Sequence, residues 1–266
     1  EDVRQGDENV APERDRKLSS LKERMETKEG PSPDLDPKRQ RWVDLGMKSM
    51  EKLLKESEAE HLDWQEKISK GKIKVYSGNL PGINYKVFKG TAIIDAHPAQ
   101  LFKLCYDAEL AQTWNPNHKV YKSVERITPQ FDIVYVMTEA VGPISSRDQC
   151  QIRHWKRYKG GFASAACSID HKGFQPSNDA VRAHTPPGGG FVIVPTSEGK
   201  SKMTNFMISD IKGYVPRFVI DKAIGGALLK FYQTSIPGAL EAHKEKVSEE
   251  ESLRYIGALE QVDKTS

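Results

Sequence analysis

The sequence predicts an α+β fold in which one curved antiparallel sheet of eight or nine strands wraps around a single long helix. Three observations predict it. Between residues 73 and 211, short runs rich in β-branched and aromatic residues follow one another with turn chemistry between them. Only one long apolar helix, Val215 to about His243, is available to close the concave side. An antiparallel sheet of that width curls, so sheet and helix together enclose a hollow.

The elements follow in order. Residues 1–36 are dense in charge and nearly free of branched or aromatic side chains, which predicts a disordered tail with a transient helix at 16–28. From Pro37, Trp42, Val43, Leu45, Met47, Met50, Leu53 and Leu54 recur at helical spacing through about residue 58. "HLDWQEKI" continues as a second short helical piece to Ile68. "KIKVYSG" and "NYKVFKGTAIID" read as strands on either side of a Leu80-Pro81-Gly82 turn. "HPAQLFKLCYDAELAQTW" is helical, with Pro98 in its first turn.

Seven further strand candidates come next: "HKVYKSVERI", "FDIVYVMTEA", "SRDQCQIRHWKRY", "FASAACSID", "DAVRAHT", "GFVIVPT" and "SKMTNFMISDI". Turns at Thr128-Pro129, Gly142-Pro143, Gly160-Gly161, Pro186-Pro187-Gly188 and Glu198-Gly199 separate several of them. The terminal helix starts behind Lys212-Gly213-Tyr214, with Pro216 in its first turn. It carries Gly225-Gly226 in its middle, each disfavoured by about 1 kcal/mol relative to alanine. Two explanations stand side by side: a place where the helix bends or lets something approach its backbone closely, or simply close packing of the helix against a strand. One domain then spans 37–244, and 245–266 is a charged tail with one amphipathic piece, "SLRYIGALEQV".

Composition narrows the function. No run of about 18–20 apolar residues is present to span a bilayer as a helix, because Arg217, Asp221, Lys222 and Lys230 interrupt the best candidate. A formal charge of +3, from 40 basic and 37 acidic residues, is too even for a nucleic-acid binder and permits weak attraction to an anionic membrane surface. Lys67, Lys70, Lys72 and Lys74 read as guards on an exposed edge strand. Cys105, Cys150 and Cys167 lack any CxxC spacing and suit a reducing compartment. The expected location is cytoplasmic or peripheral to a membrane, with an upstream targeting signal left open because the chain begins at Glu1.

No catalytic constellation is visible. "SEGKS" ends like a phosphate-binding loop but has Val194 where the first glycine belongs, and "PPGGG" precedes a strand rather than a helix. The histidines at 61, 97, 118, 154, 171, 184 and 243 show no metal-ligand spacing. Neither an enzyme nor a cofactor is expected.

Five words in register carry a resemblance: "NYKVFKG" (84–90), "DAELAQTWNPNHKVYKSVERI" (107–127), "SSRDQCQIRHWKR" (145–157), "AVRAHTPPGGGFVIVP" (180–195) and "DIKGYVPRFVIDKAI" (210–224). Over about residues 55–244 the chain resembles the START (steroidogenic acute regulatory-related lipid transfer) domains of phospholipid-transfer type. The resemblance implies a helix-grip fold that acts as a monomer and carries one lipid in an internal tunnel. Glycerophospholipid such as phosphatidylcholine is the expected cargo, with a sterol as the alternative and a transient membrane surface as partner. A lipid-sensing interaction module in the same fold is a further alternative.

The resemblance also implies a gate formed by the 140–146 loop and the start of the terminal helix. Val141, Gly142, Ile144, Tyr214, Val215 and Phe218 are its expected apolar docking surface. Arg153 is expected to face inward and either pair with an acid or read a lipid head group. Family members often carry that acid near 136–137, where this chain has Val136 and Met137; Asp132 and Glu139 are the nearest acids. By the strand's period of two, Gln149, Gln151 and Trp155 share the face of Arg153. Ala111, Val136 and Gln149 stand where choline-selective members place aromatic rings, which argues against strict phosphatidylcholine selectivity. Arg182 and His184 share a face of "VRAHT" and either contact a head group or cap the sheet edge. Val219, Ala223 and Ala227 are the expected lining from the helix.

Overall fold

The computed structural model describes residues 35–59, 64–80, 82–213 and 215–261. The stretch 1–34, expected as a disordered tail, and Tyr214, expected at the gate, lie outside the described residues. Helix α1 (Pro37–Glu58) opens on Asp36, whose carboxylate accepts from the backbone N–H groups of Lys38 and Arg39 at 2.9 and 3.1 Å. It buries Trp42, Val43, Gly46, Met50 and Leu53, one stripe at helical spacing. The stripe lies across the outer face of the sheet, and Gly46 allows the approach: a Cβ there would sit 2.9 Å from the Phe131 ring.

The segment expected as a second helix is instead strand β1 (Gln65–Lys70), paired antiparallel with β2 (Ile73–Gly78). So short a piece cannot offset helix nucleation, whereas Gly71, at φ 58°, turns the chain back so that its backbone pairs. β1 is the edge of the sheet and carries Lys67 and Lys70, as the lysine pattern indicated. Then come β3 (Val87–Ile94), α2 (Pro98–Tyr106), α3 (Ala108–Trp114), β4 (His118–Thr128), β5 (Phe131–Thr138), β6 (Arg147–Tyr158) and β7 (Gly161–Ser168). "DAVRAHT" contributes only β8 (Val181–Arg182), two residues parallel to the start of β6. β9 (Gly189–Pro195) and β10 (Ser201–Met207) complete the sheet, whose order is β1-β2-β3-β10-β9-β7-β6-β5-β4.

The central strands show one face to α1 and the other to the interior. Phe131 and Ile133 on β5 join Cys150 and Ile152 on β6 beneath Trp42 and Val43. Asp132, Val134 and Val136 stand opposite Arg153, Gln151 and Gln149, so these six share the inner face.

The inner face holds more than one helix. α4 (Arg217–Lys230) passes through a π turn (Phe231–Ser235) into α5 (Ile236–Ala242). α4 runs unbroken through Gly225 and Gly226, and only Ile68 comes within 3.5 Å of a Cβ built at Gly225. The irregularity falls instead at the π turn, directly ahead of Pro237, whose ring cannot accept a regular preceding turn. Residues 249–260, expected within a charged tail, form helix α6 (Glu249–Glu260), capped by the Ser248 hydroxyl. Leu253, Ile256 and Leu259 on its apolar stripe are buried against the same core as Leu101, Phe102 and Trp155. α2 and α6 thus fill one end of the hollow solidly, leaving α4 to cover the other.

Gly90 on β3 fixes where the terminal helices sit. A Cβ there would meet Tyr232 Cε2 at 2.8 Å and Leu228 at 3.2 Å, and the Tyr232 hydroxyl donates to the Gly90 carbonyl at 2.9 Å. The pinned ring cannot retreat. Gly90→Ala is therefore expected to lose about 1–3 kcal/mol of stability, measured by urea unfolding; an unchanged midpoint would contradict this contact.

Candidate functional site

Between the inner face of the sheet and α4 lies a cavity of about 540 Å³. β6 supplies Gln149 and Gln151, β9 Phe191, and β10 Asn205 and Met207. From α4 come Ile220, Ala223, Ile224, Ala227 and Leu228, spaced three and four apart so that one stripe faces the sheet. The wall is mostly apolar with a few polar atoms set into it. Gln149 Oε1 accepts from Gln151 Nε2 at 2.9 Å, Thr185 Oγ1 at 2.6 Å and Ser168 Oγ at 3.3 Å. His118, at the start of β4, also lines the cavity, and its ring lies 4.5 Å from that of Tyr121. Burial pushes its pKa down to about 4.

Arg153 does not line the cavity. Its guanidinium clamps Asp132 directly across the ladder, Nε to Oδ1 at 2.9 Å and Nη2 to Oδ2 at 2.5 Å. Nη1 donates to the Tyr106 carbonyl at 2.8 Å and the Tyr121 hydroxyl at 2.6 Å, while the Tyr106 hydroxyl donates to Asp132 at 3.1 Å. Burial opposes the charge on Arg153, but Asp132, with Tyr121 and Tyr106, holds its pKa well above the ordinary arginine value. The ion pair is complete within the protein, and of the two acids nearest in sequence Asp132 is the partner.

At the mouth, Val141 and Ile144 close a two-residue turn through paired backbone hydrogen bonds of 2.9 and 3.1 Å, with Gly142 at φ 59°. Arg147 ties this loop to the one before α4: it donates to the carbonyls of Ser145 and Ile211 at 2.6 Å each and of Lys212 at 3.2 Å. Val141 is 40% exposed and Phe218, on the first turn of α4, 74%. Ile144 is buried and turned into the cavity wall rather than exposed as expected, because the Gly142 turn folds it back.

Residues 45–246 match the START domain. The chain belongs to the START family. The human StAR-related lipid transfer protein 6 is 28% identical over 186 residues, covering 68% of this chain and 84% of that protein. The zebrafish (Danio rerio) mitochondrial steroidogenic acute regulatory protein is 30% identical over 199 residues, covering 71% and 68%. The solved structure of human StAR-related lipid transfer protein 5 superposes with a TM-score of 0.72 at 20% identity, over 77% of this chain and 98% of that one, a likeness of fold.

Within this START domain the expected lining residues divide. Gln149, Gln151, Ala223 and Ala227 line the cavity, as do Val141 and Ile144 from the gate. Trp155 shares the inner face but lies in the solid end, its Nε1 donating to the Pro129 carbonyl at 2.9 Å and its ring 5.1 Å from Phe102. Val136 stands beside Gln149 on the inner face, whereas Met137 points to the outer one. Val215 and Val219 are half-buried and outside the lining, and the exposed Gly142 and Phe218 are outside it as well. Arg182 is held by Asp148 at 2.9 and 3.0 Å, and His184 exchanges backbone hydrogen bonds with Asp210. Both act as staples of the 170–188 excursion rather than as lining. Sequence reasoning missed His118, Phe191 and Asn205, whose inward orientation depends on register. Among the described residues no cluster of His, Cys, Asp and Glu is placed to hold a metal ion, and no helix is long and apolar enough to cross a membrane.

Proposed function

We propose that this START domain binds one lipid in the cavity beneath α4 and carries it between membranes, without chemistry on the cargo. The largely apolar cavity carries the reading: burying an alkyl chain is worth roughly 0.8 kcal/mol per CH₂. The names of its relatives, lipid transfer and steroidogenic acute regulatory proteins, agree with it.

Two observations favour a sterol-type cargo over the glycerophospholipid that the sequence suggested. A lipid with two long acyl chains fills more space than one compact sterol, and the cavity is only about 540 Å³. Arg153, which the resemblance offered as a head-group reader, is saturated by Asp132, Tyr106 and Tyr121 and stands outside the lining. The decisive experiment incubates the protein with vesicles of equal cholesterol and phosphatidylcholine, followed by native mass spectrometry. One sterol per chain is expected. Bound phosphatidylcholine reinstates the glycerophospholipid reading, and a protein that stays empty moves the function to an interaction module.

In this reading cargo passes at the mouth, where Val141, Val215 and Phe218 form the docking surface and the Gly142 turn sets its shape. Phe218→Asp is expected to slow vesicle-to-vesicle transfer by about tenfold with equilibrium binding little changed, since the side chain stands outside the cavity. Equal transfer rates in wild type and variant would remove the docking role.

A further inference from the structure

The cavity wall carries a polar motif that is only half satisfied. Gln149 and Gln151 flank Cys150 on β6 and both turn to the inner face, opposite Val136 and Val134. Along that row the lining runs from Arg147 at the mouth to Gln149 and then Gln151. It stops there, because Arg153 is closed off by Asp132. The pair marks the inner limit of the cavity along β6. Gln149 Oε1 receives three donors, from Gln151, Thr185 and Ser168. The Thr185 backbone N–H donates to Ser168 Oγ at 2.9 Å, which leaves that hydroxyl's own proton for Gln149.

Two ends of this pair stay free. Gln149 Nε2 and Gln151 Oε1 have no hydrogen-bond partner among the described residues, and neither is one of the sealed polar atoms of the interior. Both residues are half-buried, and the surface they keep faces the cavity. Turning both amides over exchanges the two ends and still leaves one donor and one acceptor. Across the cavity, the α4 stripe of Ile220, Ala223, Ile224 and Ala227 offers neither a partner. A hydroxyl satisfies both ends through one oxygen. A ketone or ether only accepts, and a phosphate or carboxylate would set its charge against the free amide oxygen. We propose that Gln149 and Gln151 form a specificity-determining pair that reads the hydroxyl of an uncharged lipid. One amide donates to the hydroxyl oxygen and the other accepts its proton, with the apolar body of the cargo lying toward the mouth. This rests on the sterol-type reading above and adds to it which group of the cargo enters first.

The test compares cholestanol, cholestanone and cholestane, one saturated skeleton bearing a hydroxyl, a ketone or neither at the same carbon. Binding is measured on wild type, Gln151→Met and Gln149→Met, each checked for an unchanged melting transition. Gln151→Met keeps the shape of the side chain and leaves Gln149 Oε1 two of its donors, which guards against a variant that fails to fold. Wild type is expected to prefer cholestanol over cholestane by about tenfold, equivalent to about 1.4 kcal/mol, with cholestanone between them. Both variants should lower that preference to about threefold or less, through weaker cholestanol binding rather than tighter cholestane binding. A preference kept in Gln151→Met overturns the pair and leaves the carrier standing. Cholestanone bound by wild type as tightly as cholestanol overturns the two-handed contact. Equal binding of cholestanol and cholestane by wild type does the same, with the free ends then meeting only water. If wild type captures none of the three, the sterol-type reading fails and this inference fails with it.

Discussion

Asp132→Ala is expected to destabilise the domain by about 3–5 kcal/mol, because it leaves the Arg153 guanidinium buried without its counter-ion. Asp132 is fully buried and Arg153 only 5% exposed, so water cannot take the lost partner's place. The same argument applies to Arg153→Ala, which strips Asp132 of its bidentate partner and leaves the Tyr121 hydroxyl without its donor. The double variant Asp132→Leu, Arg153→Met should recover much of the loss, since a buried pair is often replaceable by apolar residues of similar volume. Urea unfolding of the single and double variants checks this. A single variant within about 0.5 kcal/mol of wild type would mean that the pair is open to solvent. Reduced lipid capture by Arg153→Ala would then reflect loss of fold rather than of a head-group contact, and the melting transition separates the two.

Acidification is expected to weaken the fold well before its carboxylates protonate. His118 and His154 are each held neutral by burial, with pKa pushed from 6.5 down to about 4. In the unfolded chain both regain the ordinary value, so as pH falls below 6.5 the unfolded state binds protons first. The stability these two rings contribute is complete above pH 6.5 and is lost progressively toward pH 4, at most roughly 3 kcal/mol for each. His118 stands in the cavity wall, and His154 stacks on Phe131 under α1, their ring centroids 4.1 Å apart. Protonation therefore loosens both faces of the sheet. Denaturant midpoints across pH 7 to 4.5 should fall, and replacing both histidines with glutamine should flatten that slope. A wild-type midpoint constant to pH 5 would sink the idea.

The strand-by-strand order of this fold was legible because its signals are local. Period-two alternation marked the strands, the turn residues between them marked their ends, and the helical stripe at Trp42 to Leu53 marked α1. Pairing was not legible. Asp132 belongs to Arg153 only because β5 and β6 meet in one register, and a slip of a single residue would have turned either side chain to the outer face. The same dependence hid Asn205 and the outward orientation of Met137. α6 was missed for a different reason. Its charge density is that of a solvated tail, and only the stripe Leu253, Ile256 and Leu259, meeting a core assembled from distant residues, draws it in. Segment 65–70 failed because local helical character lost to a hairpin formed with the next strand.

Helix α4 is secured unequally along its length. At its C-terminal end Leu228 is buried, as are Tyr232 and Ile236 in the π turn and α5 that continue it, and Tyr232 is bonded to β3. At its N-terminal end Pro216 offers no side-chain cap, and Phe218 stands in solvent. Local opening free energy should therefore climb along one continuous helix, so that backbone amides near 219–222 exchange their hydrogens far sooner than those near 228–232. Fraying from the weak end uncovers the mouth without disturbing the anchored turn or the sheet. The lifetime of a closed complex is then governed by about two helical turns, and it can be short in a domain whose global unfolding is slow.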